Sequence, residues 1–178
     1  GTESSYLMAL DNRIAATAPG CFLTSYQRLL ETVGPQDAEQ NIFGQLKFGL
    51  DESDYVIMTA PRPVNILAAT RDATFDIGGT WDLFREAKRF YGKVGYPERV
   101  DLVETDDVHG FTIHLREGAV RWMRRWMLNI DDSIFEHDFP VFQPAELQCT
   151  PQGQVLLMEG ERSVFDLSRE TADQLAVK

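Results

Sequence analysis

The chain has 178 residues, 43% of them hydrophobic and 25% charged, which is enough apolar mass for one folded domain and too much for a disordered segment. Its formal net charge of −11 argues against a nucleic-acid partner, because neutralising phosphates takes clustered Lys and Arg. No run approaches the roughly 18 apolar residues of a membrane span, and the two cysteines, Cys21 and Cys149, give neither a metal-ligand spacing nor a disulfide framework.

Residues Thr2 to Leu10 carry Tyr6, Leu7 and Leu10 behind a polar N-terminal turn and predict a short helix. The run from Arg13 to Ala18, closed by Pro19, predicts a buried strand. From Cys21 to Pro61 the pattern is irregular, with a helix expected at Thr24 to Thr32, a break at Gly34-Pro35 and a short helix from Glu52 to Met58. A strand from Val64 to Thr70, a loop with Asp72, a helix from Thr80 to Tyr91 and a strand from Val100 to Glu104 then read as one parallel βαβ unit. On its helix, Trp81, Phe84, Ala87 and Tyr91 share one side.

After a loop with His109, a helix from Ile113 to Leu128 presents Leu115, Ala119, Trp122 and Trp126 as a stripe that covers a sheet face. Arg116, Arg121, Arg124 and Arg125 on the same helix read as a solvated face. Beyond Asn129 come a polar, proline-marked linker and two short strands, Leu147 to Thr150 and Gln154 to Met158, around the turn Pro151-Gln152-Gly153. An amphipathic helix from Val164 to Val177 follows. The fold class is therefore α/β, a parallel sheet with flanking helices in residues 1–128, followed by a linker and an extension with a small hairpin in 129–178.

Asp72 and His109 stand in matching places, 37 residues apart, each just past a strand of one βαβ unit. Ligands of such sheets bind outside the carboxyl ends of the strands. A carboxylate that orients an imidazole, which in turn serves as base for a hydroxyl, is the second half of a serine-hydrolase triad, in the chain order nucleophile, acid, histidine. Gly110 after His109 permits a tight turn that exposes the ring, while Asp76 is the rival for the acid. No Gly-x-Ser-x-Gly occurs in the chain. Ser4 and Ser5 lack the flanking glycines of a nucleophile elbow, and Thr2 follows Gly1 and has no amine of its own. His114 and His137 have no ligand spacing with another His or Cys, so neither a metal nor a cofactor is expected.

From Ala60 to Met127 the sequence resembles the C-terminal half of α/β-hydrolases of the acetyl xylan esterase type. The likeness rests on Ala60-Pro61-Arg62-Pro63, Ala69-Thr70-Arg71-Asp72, Phe84-Arg85-Glu86-Ala87-Lys88-Arg89, Asp107-Val108-His109-Gly110-Phe111 and Arg121-Trp122-Met123-Arg124-Arg125-Trp126. The resemblance implies a partial α/β-hydrolase fold with Asp72 as triad acid and His109 as triad base. It also implies that Gly1 ends the serine elbow, Thr2 to Asp11 being spelled like the helix that follows it, and that the serine, the oxyanion hole and the first strands lie upstream. Three readings follow: the C-terminal portion of a serine carboxylesterase acting on acetyl esters of carbohydrate, an inert half-domain that self-associates, and a peptidase of the same framework. The expected partners are the N-terminal portion of the same domain, an ester substrate and, through the sheet edge at Arg13 to Ala18, a second copy of the chain.

Overall fold

A computed structural model describes residues 1–32 and 36–176. The expected break at Gly34-Pro35 and the last residue of the expected C-terminal helix, Val177, lie outside the described residues. The chain divides into two units, 1–136 and 137–178.

The first unit is built on two parallel strands, β1 (Val64–Ala69) and β2 (Val100–Thr105), in register from Val64 opposite Val100 to Ala69 opposite Thr105. Around them, in chain order, lie α1 (Thr2–Leu10), α2 (Tyr26–Thr32), α3 (Gln45–Phe48), α4 (Glu52–Thr59), α5 (Ile77–Lys93) and α6 (Ile113–Met123). Since successive strand residues face opposite ways, β1 serves two cores. Val64 and Ile66 join Val100, Leu83, Ala87 and Tyr91 on the α5 side, whereas Leu67 and Ala69 meet Leu115 and Ala119 of α6. All six residues of β1 are buried, as expected of a strand covered on both faces.

A third extended segment, 17–21, lies along the free side of β1. Thr17 donates its N–H to Pro63 O and accepts from Asn65 N, Pro19 O accepts from Leu67 N, and Cys21 N donates to Leu67 O. The strand expected at Arg13 to Ala18 is therefore displaced toward the C-terminus. Asp11 and Ile14 close a turn instead, and Pro19, which has no N–H, reduces the ladder to isolated bridges at Thr17 and Gly20.

Two glycines allow this packing. A Cβ on Gly1 would stand 2.3 Å from Gly20 O and 2.4 Å from Phe22 Cβ, so the start of α1 can meet segment 17–21 only as glycine. On α5, a Cβ on Gly79 would lie 2.2 Å from Thr24 Oγ1. The buried face of α5 consequently runs through Gly79, Thr80, Leu83, Ala87 and Tyr91. Trp81, expected on that face, sits at the rim with its Nε1–H donating to Glu104 Oε2 at 2.7 Å.

On α6 the expected stripe is present, with Leu115 and Trp122 buried, and the helix continues into a π-helical turn, Arg124–Leu128, that carries Trp126 edge-on to Trp122. The arginines stay at the surface as expected, and three of the four take acidic partners. Arg116 pairs with Glu136, Arg121 with Asp131 and Arg124 with Asp132, which draws the acidic stretch back onto the helix.

The second unit contains α7 (Pro144–Leu147) and α8 (Val164–Ala176). No strand forms among its described residues, which corrects the expected hairpin. The turn itself exists, with Gly153 N donating to Thr150 O, but the Gln148 amide takes the carbonyls of Thr150 and Pro151, and Val155–Leu157 coil into a 3₁₀ turn. Both flanking segments are exposed, and two strands with no face to bury do not hold together in water.

Candidate active site

The loops after β1 and β2 are tied to each other before either carries chemistry. Thr70 N donates to Thr105 O, Arg71 N to Asp107 O, and the Arg71 guanidinium to Asp106 O. This lacing brings Asp72 and His109 together, with Asp72 Oδ2 2.8 Å from His109 Nδ1. The other carboxylate oxygen, Oδ1, accepts the backbone N–H groups of Thr74 at 2.9 Å and Phe75 at 3.1 Å. The Asp72 side chain is 1% exposed and that of His109 56% exposed, so a buried anion holds one edge of a ring whose other edge meets solvent.

With Nδ1 hydrogen-bonded to the carboxylate, the neutral ring carries its proton there and keeps an acceptor lone pair on Nε2. The Phe75 ring, its centroid 5.6 Å from that of His109, limits tilting of the imidazole. Asp76 is engaged elsewhere. It accepts from Arg28 Nε at 2.9 Å and caps α5 at Gly79 N, and the Arg28 guanidinium holds its carboxyl below the usual carboxylate range.

His109 opens onto two adjoining cavities of about 370 and 400 Å³, both of which Gly1, Gly20 and Cys21 also line. The first is polar, with Gln36, Asp37, Gln40 and Thr74 in its wall, and the second includes Ser4 and Phe111. Ser5 points inward and gives its hydroxyl to Gly1 O. His114 lies apart, exposed and 3.6 Å from Glu117, and His137 belongs to the second unit. A larger cavity of about 510 Å³, between α6, β2 and 131–135, contains neither Asp72 nor His109.

Cys21 is the group that sequence reasoning passed over. Its backbone is left-handed, with φ 46°, and its thiol donates to Gly110 O at 3.4 Å, under the turn that carries His109. Burial raises its pKa, as does the charge of Asp72. Only the pairing of segment 17–21 with β1 brings it there, and nothing in the spacing of residues 21, 72 and 109 announces it.

Solved esterases share this fold. A carbohydrate esterase family 15 glucuronoyl esterase from Caldicellulosiruptor kristjansonii matches with a TM-score of 0.61 and 17% identity, over 81% of this chain and 45% of that one. Methylesterase BT1017 matches with a TM-score of 0.57 and 22% identity, over 71% and 27% respectively. The glucuronoyl esterase catalytic domain of Hypocrea jecorina gives 0.54 and 13%, over 78% and 45%. The chain thus spans less than half the length of each of these proteins. No protein-family model and no curated protein matches the sequence.

Proposed function

We propose that this chain supplies the acid and the base of a serine ester hydrolase whose nucleophile comes from a segment preceding Gly1. The observation that carries the reading is the 2.8 Å contact between Asp72 and His109 at the carboxyl ends of adjacent parallel strands. In that role His109 Nε2 takes the hydroxyl proton as the serine attacks the ester carbonyl, then returns it to the leaving alcohol. Asp72, fixed by Thr74 and Phe75, holds the tautomer and stabilises the imidazolium. Gly1, which lines both cavities beside His109, is where a preceding elbow would deliver its serine.

Acetyl esters of carbohydrate are the proposed substrates. The reading is supported by the resemblance to acetyl xylan esterases and by the polar wall of Gln36, Asp37, Gln40 and Thr74, which suits a hydroxylated leaving group. The preceding portion of the domain is the proposed partner of the edge of segment 17–21 away from β1, which pairs with no strand among the described residues.

The test is hydrolysis of 4-nitrophenyl acetate and acetylated xylan by this chain and by a chain extended through the preceding serine elbow. Activity is expected only in the extended chain, with Asp72→Asn lowering kcat by about 10⁴. Turnover by the isolated chain that Ser4→Ala abolishes would overturn the assignment of the nucleophile. Cleavage of peptide anilides in preference to esters would favour a peptidase. An inactive extended chain, together with a dimeric isolated chain, would favour the self-associating half-domain.

A further inference from the structure

A thiol, an imidazole and a carboxylate converge beside the cavities. Cys21 Sγ, an oxygen of Asp72 and a ring nitrogen of His109 all lie within 4.8 Å of one another. They come from three places in the fold: Cys21 from the end of segment 17–21, Asp72 from the loop after β1 and His109 from the loop after β2. Sulfur, imidazole nitrogen and carboxylate oxygen together are the donors of zinc-type sites. We infer that Cys21, Asp72 and His109 form a binding site for a thiophilic divalent cation of the zinc class, with the fourth position taken by water.

Three features favour a cation here over a fortuitous cluster. The first is charge, for among the described residues no Lys or Arg pairs with the Asp72 carboxylate, although its side chain is 1% exposed. The second is support behind the donors. Thr74 and Phe75 hold Oδ1 by their N–H groups, so Oδ2 can turn from His109 to a metal without unseating the side chain. The third is access, since Cys21 and His109 line both cavities and the ring is half exposed. Metal–ligand bonds of about 2.0–2.3 Å place donors roughly 3.5 Å apart, so the Asp72–His109 pair, now at 2.8 Å, has to open to admit the ion while Cys21 Sγ, within 4.8 Å of both, closes on it.

Binding is balanced by one proton. The Cys21 thiol loses its proton to solvent and coordinates as thiolate, His109 coordinates through Nδ1, and the imidazole proton moves to Nε2. An imidazole with a proton on Nε2 cannot accept one there. The same cation would therefore inhibit ester hydrolysis reversibly; this consequence alone rests on the proposed function, whereas binding does not.

The test is titration of this chain with Co²⁺, a spectroscopic substitute for Zn²⁺. Saturation at one equivalent is expected, with a thiolate-to-cobalt charge-transfer band that Zn²⁺ and a chelator each abolish. Cys21→Ser should lose the band and the exposed Cys149→Ser should keep it. His109→Gln, a change at a half-exposed side chain that leaves the core intact, should weaken binding by more than the roughly 10–100-fold that loss of an outer-shell partner costs. Absence of the band in the unaltered chain, its survival in a folded Cys21→Ser, or unchanged affinity in His109→Gln would each overturn the site. None of these readouts requires catalytic activity, so the metal site and the hydrolase reading fail separately.

Discussion

Glu52 places a carboxyl in the interior, and it ties the chemistry to stability. It is wholly buried, accepting Thr24 N at 2.8 Å and Gln36 Nε2 at 2.7 Å, and so fastens the segment after Cys21 and the cavity-lining Gln36 to α4. Burial pushes its pKa to about 8, against an ordinary 4.5, outweighing the two hydrogen bonds that favour the charged form. Between those values the native state keeps a proton that the unfolded chain has released. Stability from this group therefore falls as pH rises from about 4.5 toward 8. Urea unfolding at about pH 5 and about pH 8 should show the unaltered chain losing stability relative to Glu52→Gln, and parallel curves would refute the assignment.

Among the elements, α1 depends on a side chain from the far end of the α4–β1 connection. The Arg62 guanidinium donates to Met8 O at 2.6 Å in the last turn of α1, to Asp11 O at 2.9 Å at its C-cap and to Ile14 O at 2.8 Å in the turn beyond, setting a positive charge at the C-terminal end of the helix. Arg62→Met keeps the stem and removes these bonds. It should cost about 2–3 kcal/mol in chemical denaturation, since hydrogen bonds to a charged group each contribute about 1.5–3 kcal/mol and water recovers part of the loss. A change below about 0.5 kcal/mol would assign the work to packing alone. The positions of the elements were legible: α1, α4, α5 and α6 form where the sequence pattern predicts helices, and β1 and β2 where it predicts strands, although α1 buries Ser5 and Met8 and leaves Leu7 and Leu10 exposed. The buried face of α5 departs from the expected one because Thr24 presses on Gly79 and leaves Trp81 at the rim, a contact that residue spacing does not encode. The expected hairpin is absent among the described residues because alternation and a turn signal carry no information about whether a covering surface exists.

For the molecule as a whole, two boundaries set what can be tested. One is the division at Glu136: ion pairs from Arg116, Arg121 and Arg124 hold residues 131–136 to α6, and both hydrophobic clusters lie before that point. A chain of residues 1–136 should keep a single cooperative unfolding transition with a midpoint close to that of the full chain, and a non-cooperative transition would show that the second unit is needed for folding. The other is the edge of segment 17–21. Adding the preceding part of the domain should cover it and yield a monomer, whereas the isolated chain should associate in a concentration-dependent way by sedimentation, because unpaired strand edges template pairing. A monomeric isolated chain at high concentration would count against that edge as a contact surface.

The sequence by itself determined the α/β class, the parallel βαβ unit and the two loops that hold Asp72 and His109, because strand and helix periodicities are local and chain order places each loop after its strand. Tertiary structure alone decided that the carboxylate and the ring meet at 2.8 Å, that Asp76 is held away by Arg28, and that Cys21 stands beside the pair. Those outcomes depend on strand pairing and on close contacts such as Gly1 with Gly20, distances between residues far apart in the chain that no local pattern encodes.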